Sequence, residues 1–421
     1  MSRRQRKLRV LVGSHGHPAI HPGGAEIAAY SLFQALQARP DTEAWFLGCD
    51  RGRLPPRAGP CITQPFATDR EFIYAGGAFD WFRFANHHTE FAPAFAALLM
   101  ELRPDVLHLH HYLNFGVEVF SIARRTLPDL RIFLTLHEYL AICHHFGQMV
   151  KHPSRALCYR ESPAECHACF PDSPPADFFL RKTYIQRFFN DVDGFIAPSK
   201  FLADRYLAWG LPPDRLRIIP NVPAPHTPAT PAPRPEGAPL HVGYFGQISP
   251  LKGIQVFLDA AALLRQTHPN MVFDIHGTDA AQPPAFQAEF REKRASAGPN
   301  VRYHGPYAPE RVDALMQTVD VVVVPSIWWE NAPTVMQEAA RNGRAVVCSD
   351  IGGMAEMAAE MGAAVFPVGS AGDLAVTLGG SRHKNTKKSD DWVLLSDVGA
   401  VSHAAAYLGL AMCGPPAPSS S

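Results

Sequence analysis

Two carboxylates with seven residues between them, Glu330 and Glu338, bracket the sequence Asn331-Ala332-Pro333-Thr334. Before them, residues 319–324 (VDVVVV) form a β-branched run with the pattern of a buried parallel strand. After them, Pro333 suits a first helical turn, and Val335, Met336, Ala339 and Ala340 make one apolar face. Strand, loop and helix in that order aim unpaired backbone N–H groups at an anion beyond the carboxyl end of the strand. Glu330 belongs to the loop and Glu338 to the helix, about one and a half turns along. The two are therefore expected at different depths of one crevice. Trp328 and Trp329 in the same loop read as wall and packing.

Three further groups could carry chemistry. Gly23-Gly24-Ala25-Glu26 follows a short apolar run (8–13, LRVLVG) and a loop holding His15, His17 and His21, and paired glycines let a backbone approach a ligand closely. His137 directly follows the apolar run 131–136. Cys143, Cys158, Cys166 and Cys169 have the spacing C-x14-C-x7-C-x2-C, four thiols in 27 residues, with His144, His145, His152 and His167 as substitute ligands. A structural tetrahedral Zn2+ is one reading of the thiols. Reduced structural cysteines or a labile redox pair is the other.

The elements that must position these groups alternate. Apolar runs at 8–13, 105–109, 131–136, 194–198 and 216–221 are separated by segments of helical periodicity, among them Ala29, Leu32, Phe33 and Leu36, then Phe91, Phe95, Leu98, Leu99 and Leu102. Ser199 has the position of a helix cap. A second series begins at 241–246 and continues through the loop 247–253, a helix with Phe257, Ala260, Ala261 and Leu264, and runs at 271–277, 301–305, 344–349 and 363–367. Such βα alternation predicts α/β domains with parallel sheets. Residues 50–90 are aromatic and irregular, and as an insertion near a cleft they could shape an acceptor site. Between Pro220 and Pro239 there are eight prolines, a semi-rigid linker. The expected organisation is a first domain at 1–221 with a cysteine-rich insertion at 143–169, a linker at 222–239, a second domain at 240–380 and an atypical, poorly ordered tail at 381–421.

Composition narrows the function classes. The 421 residues carry 39 basic and 39 acidic side chains, so the formal net charge is zero and no general pull toward nucleic acid follows. The 47% hydrophobic content supports two full-sized cores. No run of eighteen apolar residues exists, so no bilayer-spanning helix is expected. Arg3, Arg4, Arg6, Lys7 and Arg9 precede the first apolar run without the h-region of a signal peptide. They read as a solubilising lead-in or as a weak peripheral contact with an anionic membrane surface, where each basic residue is worth about 1 kcal/mol. Eight cysteines in a chain of this size do not suggest a secreted disulfide scaffold, and a cytoplasmic protein, or one at the inner face of the membrane, is expected.

The sequence resembles the retaining glycosyltransferases of family 4, which have two facing Rossmann-like domains (GT-B type). The resemblance is carried by residues 246–253 (GQISPLKG), by Pro325-Ser326 with Glu330 and Glu338-Ala339, and by Gly23-Gly24-Ala25-Glu26, His137, Pro198-Ser199 and Ile219-Pro220-Asn221, in the family's order. It implies a nucleotide-sugar donor with its diphosphate at the helix start near Asn331, Ala332, Pro333 and Thr334, and an interdomain cleft. Lys252 and the helix N-terminus would offset the charge growing on the leaving phosphate. Glu338 would accept from the ribose hydroxyls, and Glu330 would hold the donor sugar. His137 would reach the transferring sugar, and Gly23 and Gly24 would offer backbone to the diphosphate or the acceptor. The cysteine group resembles an insertion found in a subset of such enzymes. Many members carry Arg where Gln247 stands, so this chain keeps a hydrogen-bonding group near the diphosphate and loses a charge. The family's usual ending is a last helix folded back on the first domain. Here 381–391 reads SRHKNTKKSDD, without a core face, which predicts the loss of that clasp.

The expected activity is retaining transfer of a hexose-like sugar from a nucleotide diphosphate sugar to a hydroxyl acceptor, a glycan or lipid-linked glycan, in cell-surface polysaccharide or glycolipid synthesis. No Asp-x-Asp occurs in the cleft motifs, so no cofactor is expected for catalysis, and zinc, if bound, is structural. The rival enzymes are a nucleotide-sugar epimerase or a sugar phosphorylase. The rival from another class is a non-catalytic nucleotide-sugar binder or assembly protein.

Overall fold

The computed structural model describes residues 6–21, 23–50, 59–222, 235, 237–380, 403 and 407. Arg3, Arg4, most of the proline-rich linker and most of the tail lie outside the described residues. The chain divides into two compact units, the first from residues 1–224 joined by the chain beyond 396, the second from 225–395.

The second unit has the simpler logic. Two of its inner strands are short and almost wholly apolar, as strands covered on both faces must be. Val321–Val324 is buried at all four positions, and Ala345–Ser349 at all five. Six parallel strands lie in the order Val301–Gly305, Met271–His276, Leu240–Phe245, Val321–Val324, Ala345–Ser349, Ala364–Phe366. Val242, Tyr244, Val321, Val323, Ala345 and Val347 point to one face, where they pack against the helices Ile254–Thr267, Pro284–Ala297 and Ala371–Gly379. The chain thus enters mid-sheet, winds outward on one side, and returns to the other side of its first strand. A crevice opens where the order reverses, beyond the carboxyl ends of Leu240–Phe245 and Val321–Val324. The loops leaving those two ends carry Lys252 and Glu330.

The first unit repeats the scheme with eight strands: Leu216–Ile218, Gly194–Ala197, Arg131–Thr135, Val106–Leu109, Leu8–Gly13, Thr42–Cys49, Glu71–Tyr74 and Ile62–Thr63. All pairings are parallel except the last. The order reverses at Leu8–Gly13, so the loops after it and after Val106–Leu109 diverge at one point. Residues 50–90, unread in the sequence, contribute Glu71–Tyr74 to this sheet and a small hairpin, Phe79–Asp80 with Ala85–Asn86. Ser199 does cap the helix Lys200–Trp209, its hydroxyl accepting from the N–H of Leu202 at 3.2 Å.

The basic lead-in is partly spent inside this unit. Arg6 pairs with Asp105, and Arg9 pairs with Glu43 at 3.2 Å while lying 4.9 Å over the Trp45 ring. No described helix is long and apolar enough to cross a membrane. The two described tail positions, His403 and Tyr407, are helical and fully buried in the first unit. Tyr407 joins the core of Val10, Val12, Phe133 and Ile196. Its hydroxyl lies 2.6 Å from His108 Nδ1, and its carbonyl accepts from Arg131 at 2.6 Å. The stretch 381–391, read as lacking a core face, lies outside the described residues.

Candidate functional site

In the second unit, Lys252 and Glu330 form a close ion pair, Nζ to Oε1 at 2.6 Å. Two more donors converge on the same oxygen, Ser326 Oγ at 2.8 Å and Trp328 Nε1 at 2.9 Å. Glu330 is only 6% exposed. Burial alone would lift its carboxyl, but Lys252, Ser326 and Trp328 outweigh it and hold the group below the ordinary range. Oε2 takes none of the three bonds. Trp328 is therefore more than wall: it donates to Glu330, and its ring lies 5.5 Å from the Lys252 ammonium.

Two loops must approach closely for this pairing. The N–H of Ile327 donates to the carbonyl of Leu251 at 2.9 Å. Gly253 has φ +71°, and a Cβ there would stand 1.8 Å from the carbonyl oxygen of Pro325. Gly253→Ala is expected to destabilise the chain by more than the roughly 1–2 kcal/mol of a left-handed non-glycine residue, and a melting temperature equal to the parent's would refute this reading of the contact.

Asn331, Ala332 and Pro333 lead from Glu330 into the helix Thr334–Arg341, with Pro333 as its N-cap rather than its first helical residue. Asn331 is buried, and Thr334 half-buried. Met336, Ala339 and Ala340 anchor the helix, which leaves Glu338 half-buried on another side. Burial raises the Glu338 carboxyl, while Arg341 opposes and Asp313 reinforces the shift. Gln247 is exposed, and its carbonyl accepts from the Tyr244 hydroxyl at 2.8 Å.

In the first unit, the divergent loops gather histidines. His137, half-buried beyond Arg131–Thr135, has its Nε2 2.9 Å from His110 Nδ1. Burial, then the imidazoles of His111 and His403, push its pKa down to about 3. It is thus neutral near pH 7, a hydrogen-bonding group and not a cation. His15 meets Glu26 at 3.1 Å, His111 meets Glu138 at 3.2 Å, and the rings of His15 and His111 lie 4.4 Å apart. Gly23 is the N-cap of the helix Gly24–Ala38, and Gly24, exposed, is its first residue. A Cβ on Gly23 would stand 2.4 Å from Glu26 Oε2, so this glycine makes room for a buried carboxylate as well as for any ligand. The loop after His137 is pinned by Arg181, itself buried, which donates to the carbonyls of Leu140, Ala141 and Phe82.

Sequence comparison matches the two units separately. Residues 22–222 match the sequence model of "Glycosyltransferase Family 4", and residues 239–379 match that of "Glycosyl transferases group 1". The chain belongs to the family 4 glycosyltransferases. Among curated relatives, D-inositol 3-phosphate glycosyltransferase of Corynebacterium efficiens is 32% identical over 173 residues, 38% of this chain and 40% of that protein. The matched stretch spans less than half the length of such relatives. Among solved structures, sucrose-phosphate synthase from Thermosynechococcus elongatus aligns with TM-score 0.68 at 17% identity, over 97% of this chain and 100% of that one. Anabaena HepE in complex with UDP and glucose aligns with TM-score 0.60 at 16% identity, over 96% and 99%. The fold of this family 4 member is therefore of the GT-B type.

Some expected site residues come together and others do not. Lys252, Glu330 and the start of Thr334–Arg341 share the crevice of the second unit. His137 and Gly23-Gly24 share the carboxyl end of the first sheet. Ser326, Glu26, His15, His110 and His111 carried no assigned role in the sequence. The doublet His110-His111 just past an apolar run was the available signal. The four cysteines line one cavity of about 30 Å3. As they stand, however, no three His, Cys, Asp or Glu among the described residues form a group that could hold a metal ion. Cys158 turns its thiol to the carbonyl of Arg160 at 3.2 Å, and burial raises the thiols of Cys143, Cys158 and Cys166.

Proposed function

We propose that the protein transfers a sugar, with retention at the anomeric carbon, from a nucleotide diphosphate sugar to a hydroxyl of a glycan or lipid-linked glycan. The observation that carries this is the Lys252–Glu330 pair, placed beside a helix start at the strand-order reversal of the second unit. Breaking the bond from anomeric carbon to phosphate oxygen puts negative charge on the diphosphate. A lysine and a row of unpaired N–H groups lower the energy of that charge. The acceptor oxygen bonds to the anomeric carbon on the face the phosphate leaves, and the departing phosphate oxygen takes the acceptor's proton. Glu330, held anionic through Oε1, keeps Oε2 to accept from the donor sugar's hydroxyls. Glu338 accepts from the ribose hydroxyls, which supply the hydrogen bonds its half-buried carboxyl needs. His137, neutral, offers a hydrogen bond to the sugar.

The test is thermal unfolding of the full chain with UDP, GDP, ADP and TDP, with UDP first because HepE was crystallised with it. One nucleotide at about 100 times its dissociation constant should stabilise by about 2.7 kcal/mol, and Glu338→Ala should remove the effect. If none of the four stabilises the parent chain, the donor site is misassigned. Incubation with the matching nucleotide sugar then separates transfer from epimerisation and from binding without turnover by product analysis.

A further inference from the structure

Three donors converge on one oxygen of Glu330. Lys252 Nζ stands 2.6 Å from Oε1, Ser326 Oγ 2.8 Å and Trp328 Nε1 2.9 Å. A carboxylate spreads about four acceptor sites over its two oxygens, so three donors exceed the share of Oε1.

The donors are of two kinds. Ser326 and Trp328 are neutral and sit on the loop that carries Glu330, four and two residues before it. That loop is fixed. Ser326 is fully buried, the Glu330 N–H donates to the Trp328 carbonyl at 2.8 Å, and the Glu330 carbonyl accepts from the N–H of Gly353 at 2.9 Å. Lys252 is charged, comes from a loop 78 positions away and keeps 32% side-chain exposure. Its flexible stem lets the ammonium turn, and the Trp328 ring, 5.5 Å away, offers it a face.

The difference matters for transfer, because Lys252 serves two anions. It neutralises Glu330 at rest. As the bond to the anomeric carbon breaks, charge grows on the phosphate and draws the ammonium there. A buried carboxylate deserted by its cation turns away or takes up a proton. Two fixed neutral donors on Oε1 oppose both.

We propose that Trp328 is a positioning residue: its indole N–H, with the Ser326 hydroxyl, holds Oε1 of Glu330, so that Oε2 is kept for the donor sugar while Lys252 turns to the leaving phosphate. This rests on the transfer reading.

The experiment is release of nucleoside diphosphate by the full chain, with water as acceptor, from UDP-glucose, UDP-N-acetylglucosamine, GDP-mannose, ADP-glucose and TDP-glucose. The water oxygen bonds to the anomeric carbon, and the departing phosphate oxygen takes one of its protons. Trp328→Phe keeps an aromatic ring and removes the N–H. It should lower kcat about tenfold, the loss expected for one hydrogen bond to a charged group. Affinity for the free nucleoside diphosphate should stay that of the parent, since this ligand carries no sugar. The reaction needs Glu330 anionic, so kcat is lost as pH falls through its pKa. Removing a donor raises that pKa, and the acid limb of kcat should move up by about one pH unit, the equivalent of the same tenfold. Among the described residues, Lys252 and Tyr244 are the titratable groups facing Glu330, and burial keeps the Tyr244 hydroxyl neutral across this range. Ser326→Ala, a smaller change in the same loop, should move the limb the same way, and it decides the matter if Trp328→Phe does not fold. The proposal is overturned if the folded variants keep the parent's kcat and acid limb. It is overturned as well if nucleotide affinity falls while the limb stays in place, which makes Trp328 a wall of the crevice. If the parent releases no nucleotide from any of the five donors, the transfer reading itself fails and takes the proposal with it.

Discussion

Lys252→Ala is expected to lower transfer about 10²–10³-fold, the loss typical of one preorganised charge-stabilising donor, and to destabilise the folded chain by about 3 kcal/mol. The second figure is the low end for a buried pair deprived of one partner, because the Lys252 side chain keeps 32% exposure while that of Glu330 keeps 8%. The asymmetry gives the prediction its sign. With Lys252 present, the Glu330 carboxyl is held below its ordinary value, so the pair's contribution is complete above the unfolded pKa of 4.5 and is lost as pH falls through the lower folded value. Without Lys252, burial acts with only Ser326 and Trp328 against it, and the folded pKa rises. The variant's deficit should therefore be largest near pH 7 and shrink toward pH 5, as the carboxyl is neutralised. Urea unfolding of parent and variant at both pH values measures this. A deficit that grows on acidification would mean that Lys252 stabilises through something other than Glu330. Glu330→Gln should cost activity but less stability, since it leaves a lysine that still reaches water.

Acid should unfold the first unit for a separate reason. His108, His110, His137 and His403 all have folded pKa values below 6.5, with burial the leading cause in each; His137 is pushed down to about 3 and His403 to about 4. All four are neutral in the folded chain above those values. The unfolded chain binds protons at about pH 6.5, so between roughly pH 4 and 6.5 it holds more protons than the folded one. Stability then rises with pH across that window and is lost as pH falls. Each group contributes about 1.4 kcal/mol per pH unit below 6.5, so a drop from pH 7 to 5 should remove several kcal/mol. Unfolding midpoints in urea between pH 5 and 7.5 should shift accordingly, with uptake of more than two protons per chain. A flat profile would mean that these imidazoles are already charged or solvated in the folded chain.

The same protonation bears on the tail. His108 is held on one side by Thr135 at 2.7 Å and on the other by Tyr407. The rings of His108 and His110 lie 4.6 Å apart, and His110 meets His137. Protonating His108 would therefore disturb both the tail's seat and the geometry around His137.

Much of this was legible in the residues. Runs such as LRVLVG and VVVV are strands in any context that buries both faces, and Gly253 and Pro333 mark loop and helix borders by backbone stereochemistry alone. Other elements were not legible, for identifiable reasons. The helix Pro175–Phe189 buries Phe178, Arg181, Ile185 and Phe189, and an arginine in the stripe breaks the apolar period that would have revealed it. That arginine is tolerated because three carbonyls from remote loops receive its N–H groups. The helix Pro284–Ala297 carries five charged side chains in fourteen residues and buries only Phe286, Phe290 and Ala297, too few for its pattern to stand out.

The site divides in the same way. The sequence by itself determined that Glu330, the turn at Pro333 and Glu338 lie along one strand-loop-helix unit, because those relations depend on helical rise and on chain neighbours. It determined which side chains could carry charge or donate. Tertiary structure alone decided that Lys252 meets Glu330 across 78 positions, that Trp328 is a donor to it, and that His110 reaches His137. The Lys252 and His110 contacts follow from strand order, and the Trp328 contact from the fold of its own loop. Leu240–Phe245 and Val321–Val324 become neighbours only after the intervening elements have wound around one side of the sheet, and no local preference along the chain encodes that adjacency.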